Sequence, residues 1–426
     1  MSEFKRIILV RYGEIMLKGL NRHVFEDKLV SNIRRVLKNF PASKVSALQG
    51  RVFVEPREPR APLEQHEPYG AFDGNDTCSD YPFELAVEKL KDIFGVVSVS
   101  PAFKIDSDID QISECAKEVV REAVDKSHFS MRHSLRQGSE LSFKVETKRG
   151  DKTFPMTSPE ISIRVGGDLA EAFPWLTVDV NNPELTVHVE VRESSYVYSD
   201  IIKGYGGLPL GTNGKAALLL SGGIDSPVAG FMMAKRGVEI EAIHFFSFPY
   251  TGERSKEKVV SLAKTLAGYV YRIKLHVVPF TDIQIAIRDN CQQDYMTIIM
   301  RRAMMMTSEM IAVKNGASAL ITGESMGQVA SQTMQGLNVT NAVVKMPVFR
   351  PLIGMDKNEI VELARRIGTF DTSILPYDDC CTLFTPKHPR TKPRIISAEH
   401  EEQKIDIVRL IKEAVDATES QIIYSD

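Results

Sequence analysis

Seven contiguous residues, Ser221-Gly-Gly-Ile-Asp-Ser-Pro227, carry the most chemistry in this 426-residue chain. They follow an apolar run, Ala216 to Leu220, that predicts a buried parallel strand, and they precede Val228 to Lys235, which predicts a helix. Gly222 and Gly223 let a backbone turn tightly and come close to a polyanion. Ser226 is placed to cap the helix and Pro227 to occupy its first position, where no backbone donor is needed. Free amides at such a helix start attract phosphate. The spacing excludes a Walker A loop, because Gly214-Lys215 is followed by Ala216 and Pro209 stands where the first glycine belongs. It also excludes a dinucleotide fingerprint over Gly204 to Pro209, where proline replaces the last glycine. The plain alternative is a glycine-rich turn in an unrelated α/β protein. Seven matching residues in the strand–turn–helix setting of a phosphate loop argue against it.

Other predicted strand ends extend a nucleotide site. His244-Phe245 closes the next strand and offers a ring for stacking. Gly323, in Thr322-Gly-Glu-Ser325, permits close ligand approach, and Gln328 to Gln332 supplies amides and hydroxyls. Arg301 and Arg302 share a helix with Met300, Met304, Met305 and Met306. The methionines read as core packing, and one arginine is placed to turn toward phosphate, with a solvated role as the even alternative. A second chemistry sits in the proline-bounded loop Pro376 to Pro386, where Cys380 and Cys381 offer a thiol as nucleophile or sulfur carrier. Two incidental small hydrophobes are the bland reading. Adjacent Cα atoms lie about 3.8 Å apart, below the usual disulfide range of roughly 4.4–6.8 Å, so one working cysteine is expected. Lys144, Lys148, Arg149 and Lys152 cluster at a strand end, suited to nucleic-acid phosphates or simply to a solvated face.

The elements that must position these groups follow from periodicity. An apolar strand over 6–11, a helix over 23–38 and paired strands over 45–54 make a first α/β unit, and a proline-rich stretch from Pro56 to Asp80 reads as a loop. Helices over 83–94, 112–124 and 161–172, with strands over 96–103, 141–146, 178–180 and 185–191, make a second. From residue 201, strands alternate with helices, which means a parallel sheet with ligands at the strands' carboxyl ends. A charged helix over 398–414 is expected to follow Pro393. The domains are therefore read as 1–80, 81–200 and 201–426. Net charge is −3, against general nucleic-acid affinity but compatible with a local basic face. Five scattered cysteines suit a reducing cytoplasm rather than a disulfide framework, and zinc is not expected without a Cys-x-x-Cys pair. No run reaches membrane-spanning length, and no membrane partner is expected.

The loop at Ser221–Pro227 resembles the PP-loop of the ATP pyrophosphatases. With Arg11-Tyr-Gly-Glu14-Ile-Met-Leu-Lys18-Gly19, Phe143-Lys-Val-Glu-Thr-Lys-Arg-Gly150, Thr322-Gly-Glu-Ser325, Gly327 to Gln332 and Asp379-Cys-Cys-Thr, the whole chain resembles the tRNA 4-thiouridine synthetases. That resemblance implies an N-terminal ferredoxin-like domain, a THUMP domain that binds tRNA, and a doubly wound PP-loop domain. Many members add a rhodanese domain, and this chain is read as the short form. By position, Leu219, Leu220, Ser221, Gly222, Gly223, Ser226, His244, Phe245, Arg301, Gly323 and Gln332 are implied to hold ATP. Asp225 is implied to hold the pyrophosphate end with Mg²⁺, Lys357 to add charge, and Cys381, with Cys380 beside it, to handle sulfur. The implied reaction is ATP-dependent thiolation of tRNA uridine 8, with a cysteine desulfurase as donor and a possible homodimer. Rival readings are an amidating PP-loop enzyme, which lacks a glutaminase-like segment here, an iron–sulfur thiolase, and a non-catalytic RNA-binding protein.

Overall fold

The computed structural model describes residues 4–48, 50–57, 81–126, 140–377 and 389–425. The chain divides into two compact units, Met1–Gly206 and Gly207–Asp426.

The first unit is built on one nine-stranded sheet. Its strands are β1 (Lys5–Tyr12), β2 (Ser43–Leu48), β3 (Arg51–Pro56), β4 (Val96–Asp106), β5 (Leu141–Arg149), β6 (Leu176–Val178), β7 (Leu185–Val191), β8 (Ser194–Tyr198) and β9 (Ile202–Lys203). They run in the order β2-β3-β1-β4-β8-β7-β5-β6, with β9 beside β4. The β1–β4 pairing joins the first predicted α/β unit to the second in a single ladder. Helices α1 (Arg22–Val36), α2 (Phe83–Lys91), α3 (Ile109–Lys126) and α4 (Ser158–Ala172) supply the apolar stripes that cover one face. The other face curls. Phe53 on β3 and Tyr196 on β8 are three strand intervals apart, about 14 Å in a flat sheet, yet their ring centroids lie 5.1 Å apart.

The curl brings arginines from early strands to a carboxylate on a late one. Glu190 is buried. It accepts from Arg11 Nη2 at 3.2 Å and from Tyr198 Oη at 2.9 Å. Among the described residues its second oxygen makes no hydrogen bond and has the longer ion pairs to Arg51 at 3.6 Å and Arg192 at 3.5 Å. Burial pushes the Glu190 carboxyl up, and Arg51, Arg11 and Tyr198 together more than reverse it, leaving it below its ordinary range.

The second unit is a six-stranded sheet of β10 (Lys215–Leu219), β11 (Glu239–Phe246), β12 (Arg272–Pro279), β13 (Leu320–Ile321), β14 (Val348–Phe349) and β15 (Glu419–Tyr424), ordered β14-β13-β10-β11-β12-β15. All pairings are parallel except β12 with β15. On one face, α5 (Asp225–Lys235) packs so closely that a Cβ on Gly230 would lie 2.6 Å from Leu218 Cδ2, with α6 (Glu253–Val270) beside it. On the other lie α7 (Thr281–Asn290), the methionine-rich α8 (Met296–Lys314), α12 (Ile395–Glu402) and α13 (Ile407–Asp416), numbered after α9 (Met334–Asn341), α10 (Lys357–Arg366) and α11 (Phe370–Ser373). The first strand of this unit, β10, sits between β11 and β13, so the strand order reverses at its carboxyl end. That is where a doubly wound sheet opens a crevice.

The helix expected over 398–414 is two helices. Asp406 breaks it, its side chain accepting from Arg409 N at 3.3 Å to start α13 afresh. The chain then continues into β15, whose short exposed alternation gives no signal in the sequence; only Ile423 of this strand is buried.

Candidate active site

β10 delivers the phosphate loop to the switch point. Ser226 does not cap the helix as expected. Helix α5 begins two residues before Pro227, at Asp225, and the Ser226 hydroxyl instead accepts from Ser221 N at 2.9 Å. It also donates to Ser221 O at 3.2 Å, closing the loop on itself. Pro227 accordingly sits third in the helix, still within the turn that needs no backbone donor. Neither Gly222 nor Gly223 takes a positive φ, so the loop uses its glycines for room rather than for a left-handed turn. Gly223 N bonds Ser221 Oγ at 3.3 Å, and Ser373 Oγ donates to Gly223 O at 3.3 Å.

A cavity of about 530 Å³ opens beside the loop. Leu219, Leu220, Ser221, Gly223, Asp225 and Ser226 form one wall, while Gly222 is in the loop but not on the lining. His244 and Phe245, from the end of β11, form another. Both are buried; His244 Nδ1 is 3.2 Å from Leu220 O, and Phe245 meets Phe280 edge-on at 4.9 Å. Arg301 and Gln332 reach the same space. The Gln332 side-chain oxygen is buried with no hydrogen-bond partner among the described residues. The methionines and Gly323 do more here than expected. Met300, Met304 and Met305 line the cavity as well as packing the core. Gly323 lines the cavity and also lets the protein close on itself: a Cβ there would lie 2.7 Å from Ser226 N and 2.8 Å from Asp225 C. It thus locks the end of β13 against the start of α5.

Asp225 anchors the charge at the loop. Lys357 Nζ, from the first residue of α10, lies 2.5 Å from its Oδ1, and Gln328 Nε2 donates to Oδ2 at 3.0 Å. Helix α10 is set by a capping box, in which Asp356 accepts from Asn358 N and Glu359 N while Glu359 accepts from Asp356 N. Of the two arginines on α8, Arg301 turns into the site and bonds Ser331 Oγ at 2.8 Å. Arg302 is buried and gives a bidentate pair to Glu402 at 2.6 and 2.8 Å. A buried partner escaped sequence reasoning. Glu324 faces Arg301 and accepts from Arg350 Nε at 2.6 Å. Arg350 follows the two-residue strand β14, too short to show any periodicity.

Asp225 is the residue that fits a hard divalent cation. Among the described residues no cluster of three or more acidic, histidine or cysteine side chains stands ready for a metal, so a cation here would rely on one carboxylate and on substrate phosphates, the usual habit of Mg²⁺. Asp379, Cys380 and Cys381 lie outside the described residues.

In the first unit, β5 runs to Arg149, three residues beyond its expected end, because it pairs in parallel with β7 along its length. Lys148 and Lys152 are exposed. Lys144 lies 3.9 Å from Glu146, and the Arg149 guanidinium donates to Phe154 O and Met156 O at 3.2 Å each, bracing the following turn.

Comparison with known proteins agrees with this architecture. Residues 7–65 match the ThiI ferredoxin-like domain, 106–200 the THUMP domain, and 211–407 the family described as thiamine biosynthesis protein (ThiI). A probable tRNA sulfurtransferase of Acetivibrio thermocellus is 53% identical over 422 residues, 99% of this chain and 100% of the relative. One of Clostridium kluyveri is 47% identical over 416 residues, 97% of this chain and 99% of the relative. Among solved structures, a 4-thiouridine synthetase in complex with RNA and bound ATP superposes with a TM-score of 0.82 at 37% identity, over 98% of this chain and 100% of that one. A Pyrococcus horikoshii protein, PH1313, does so at 0.61 and 25% identity, over 85% and 99%.

Proposed function

The chain belongs to the ThiI family of tRNA sulfurtransferases, and from that premise we propose that it thiolates uridine 8 of tRNA to 4-thiouridine at the expense of ATP. The observation that carries the reading is the phosphate loop at the switch point, opening on a cavity with an Asp225–Lys357 pair at the loop. Phe245, Leu219 and Leu220 offer an apolar wall for a purine, and the loop amides with Lys357 beside Asp225 offer charge for a triphosphate. In the reaction the uridine C4 oxygen attacks the α-phosphate, pyrophosphate leaves, and an adenylated uridine results. The loop amides, Arg301 and Lys357 neutralise charge as it builds. Mg²⁺ bound with the phosphates would be held by Asp225 and would supply further neutralisation. A persulfide sulfur carried by Cys381, or by Cys380 beside it, then attacks C4 and AMP departs. An external dithiol reductant cleaves the S–S bond of the resulting C4–S–S–Cys link, freeing 4-thiouridine and the carrier thiol and leaving the reductant as its disulfide. A cysteine desulfurase supplies the persulfide sulfur.

The test is product analysis. The full chain, ATP, unmodified tRNA, a cysteine desulfurase and cysteine should give 4-thiouridine at position 8 by nucleoside mass spectrometry, with AMP and pyrophosphate in equal amounts. Asp225→Ala should lose roughly 10²- to 10³-fold in pyrophosphate release while keeping its fold and its tRNA affinity. Thiolation that proceeds without ATP would overturn the reading.

A further inference from the structure

Glu324 accepts from Thr322 Oγ1 at 2.8 Å and from Arg350 Nε at 2.6 Å through one oxygen, and its other oxygen faces Arg301. One buried carboxylate therefore sits between two guanidinium groups. Arg350 also donates to Asn341 Oδ1 at 3.2 Å, and its Nη2 is buried with no hydrogen-bond partner among the described residues. Only Glu324 and Arg301 of the three reach the cavity wall. The group carries one more positive than negative charge, the balance that an incoming phosphate restores. Its height is fixed as well, because Gly323, the residue before Glu324, packs directly on the backbone of Asp225 and Ser226.

We propose that Glu324 is a positioning residue for adenylation: backed by Arg350, it aims the Arg301 guanidinium at the α-phosphate level of the loop. An unheld arginine samples many rotamers, and a carboxylate at Nη2 with a hydroxyl at Nη1 selects one before substrate arrives. A donor aimed in advance costs no reorganisation as charge develops. Glu324 also tempers the field. Without its charge Arg301 would hold ATP more tightly in the ground state, which strengthens binding without speeding chemistry. The role exists only if the cavity takes ATP, as proposed above.

The two effects fall on different constants, kcat and KM, in steady-state kinetics of pyrophosphate release with unmodified tRNA. Glu324→Gln should lower kcat by roughly 10²-fold, the scale of a misaimed catalytic group. Its KM for ATP should be unchanged or lower. Glu324→Asp, which keeps the charge and shortens the reach, should fall between that variant and wild type, and it stands in if Glu324→Gln does not fold. Arg301→Ala with Glu324→Gln should be no slower than Arg301→Ala alone, because Glu324 acts through Arg301. A wild-type kcat in Glu324→Gln, a raised KM with kcat intact, or additive losses in the double variant would each overturn the proposal. Binding of ATP to the wild-type chain, measured separately by calorimetry, distinguishes these failures from a failure of the nucleotide reading itself.

Discussion

Arg149 and Lys148 are neighbours in sequence with different work to do. The Arg149 guanidinium is occupied by two backbone carbonyls, whereas Lys148 and Lys152 face solvent. Salt-dependent RNA affinity should therefore fall on the lysines. A Lys148→Ala, Lys152→Ala double variant should lower the slope of log K against log salt by roughly 0.7–0.9 for each phosphate that is no longer neutralised. Gel-shift titration at several salt concentrations reads it, and an unchanged slope would return both lysines to an ordinary solvated face. Arg149→Ala is expected to loosen the turn after β5 and to cost stability rather than slope. At this scale the sequence was legible where chemistry is unusual. The residues Ser221 to Pro227 and His244 announce themselves by type and setting, Arg301 is one of two arginines that read alike, and Lys357 enters through the resemblance; all gather at one loop or cavity. Glu324 stands in a recognisable motif, but its use depends on Arg350 and Arg301 arriving from other elements, which no local pattern displays.

Between the elements, β13 and α5 meet with no side chain to spare. Gly323→Ala would push a Cβ into the backbone of Asp225 and Ser226. We expect it to destabilise the second unit by about 1–3 kcal/mol, as overpacking does. Displacement of the phosphate loop should cost roughly 10²-fold in pyrophosphate release. Gly268, inside α6, is the control, since a methyl group there would meet nothing within 4 Å. Gly268→Ala should raise stability by about 0.5–1 kcal/mol with activity unchanged. Thermal melts and rates on both variants separate the two cases, and a tolerated Gly323→Ala would show that the packing is not rigid. Long elements such as α8 and β11 were readable because they are periodic over many residues. Of the two-residue strands, β13 lies within the predicted strand that ends at Gly323, whereas β14 owes its existence to a neighbouring strand rather than to its own pattern.

Within the first unit, the curl of the sheet depends on Glu190 as well as on apolar packing. Glu190→Gln would leave Arg11, Arg51 and Arg192 crowded without a counter-charge, and we expect a loss of roughly 3–5 kcal/mol in chemical denaturation. The Glu190 carboxyl is held below its ordinary range in the folded chain. Its stabilisation is therefore present above the unfolded carboxyl value and is lost as pH falls through the lower folded value. The variant should show a flatter acid limb than wild type; an equally steep limb would place that proton uptake elsewhere. None of this was visible in the sequence, since Arg11 and Glu190 are distant in the chain and meet only through curvature. In the second unit, β15 flanks β12 by antiparallel pairing from Glu419 to Tyr424, and it is made after every other strand of its sheet. Until those residues emerge from the ribosome, β12 presents a bare row of amides and carbonyls, open to any extended strand nearby. A nascent chain paused before residue 419 thus has a phosphate loop and its strands already made, but with a sticky flank, and is the form most in need of a chaperone.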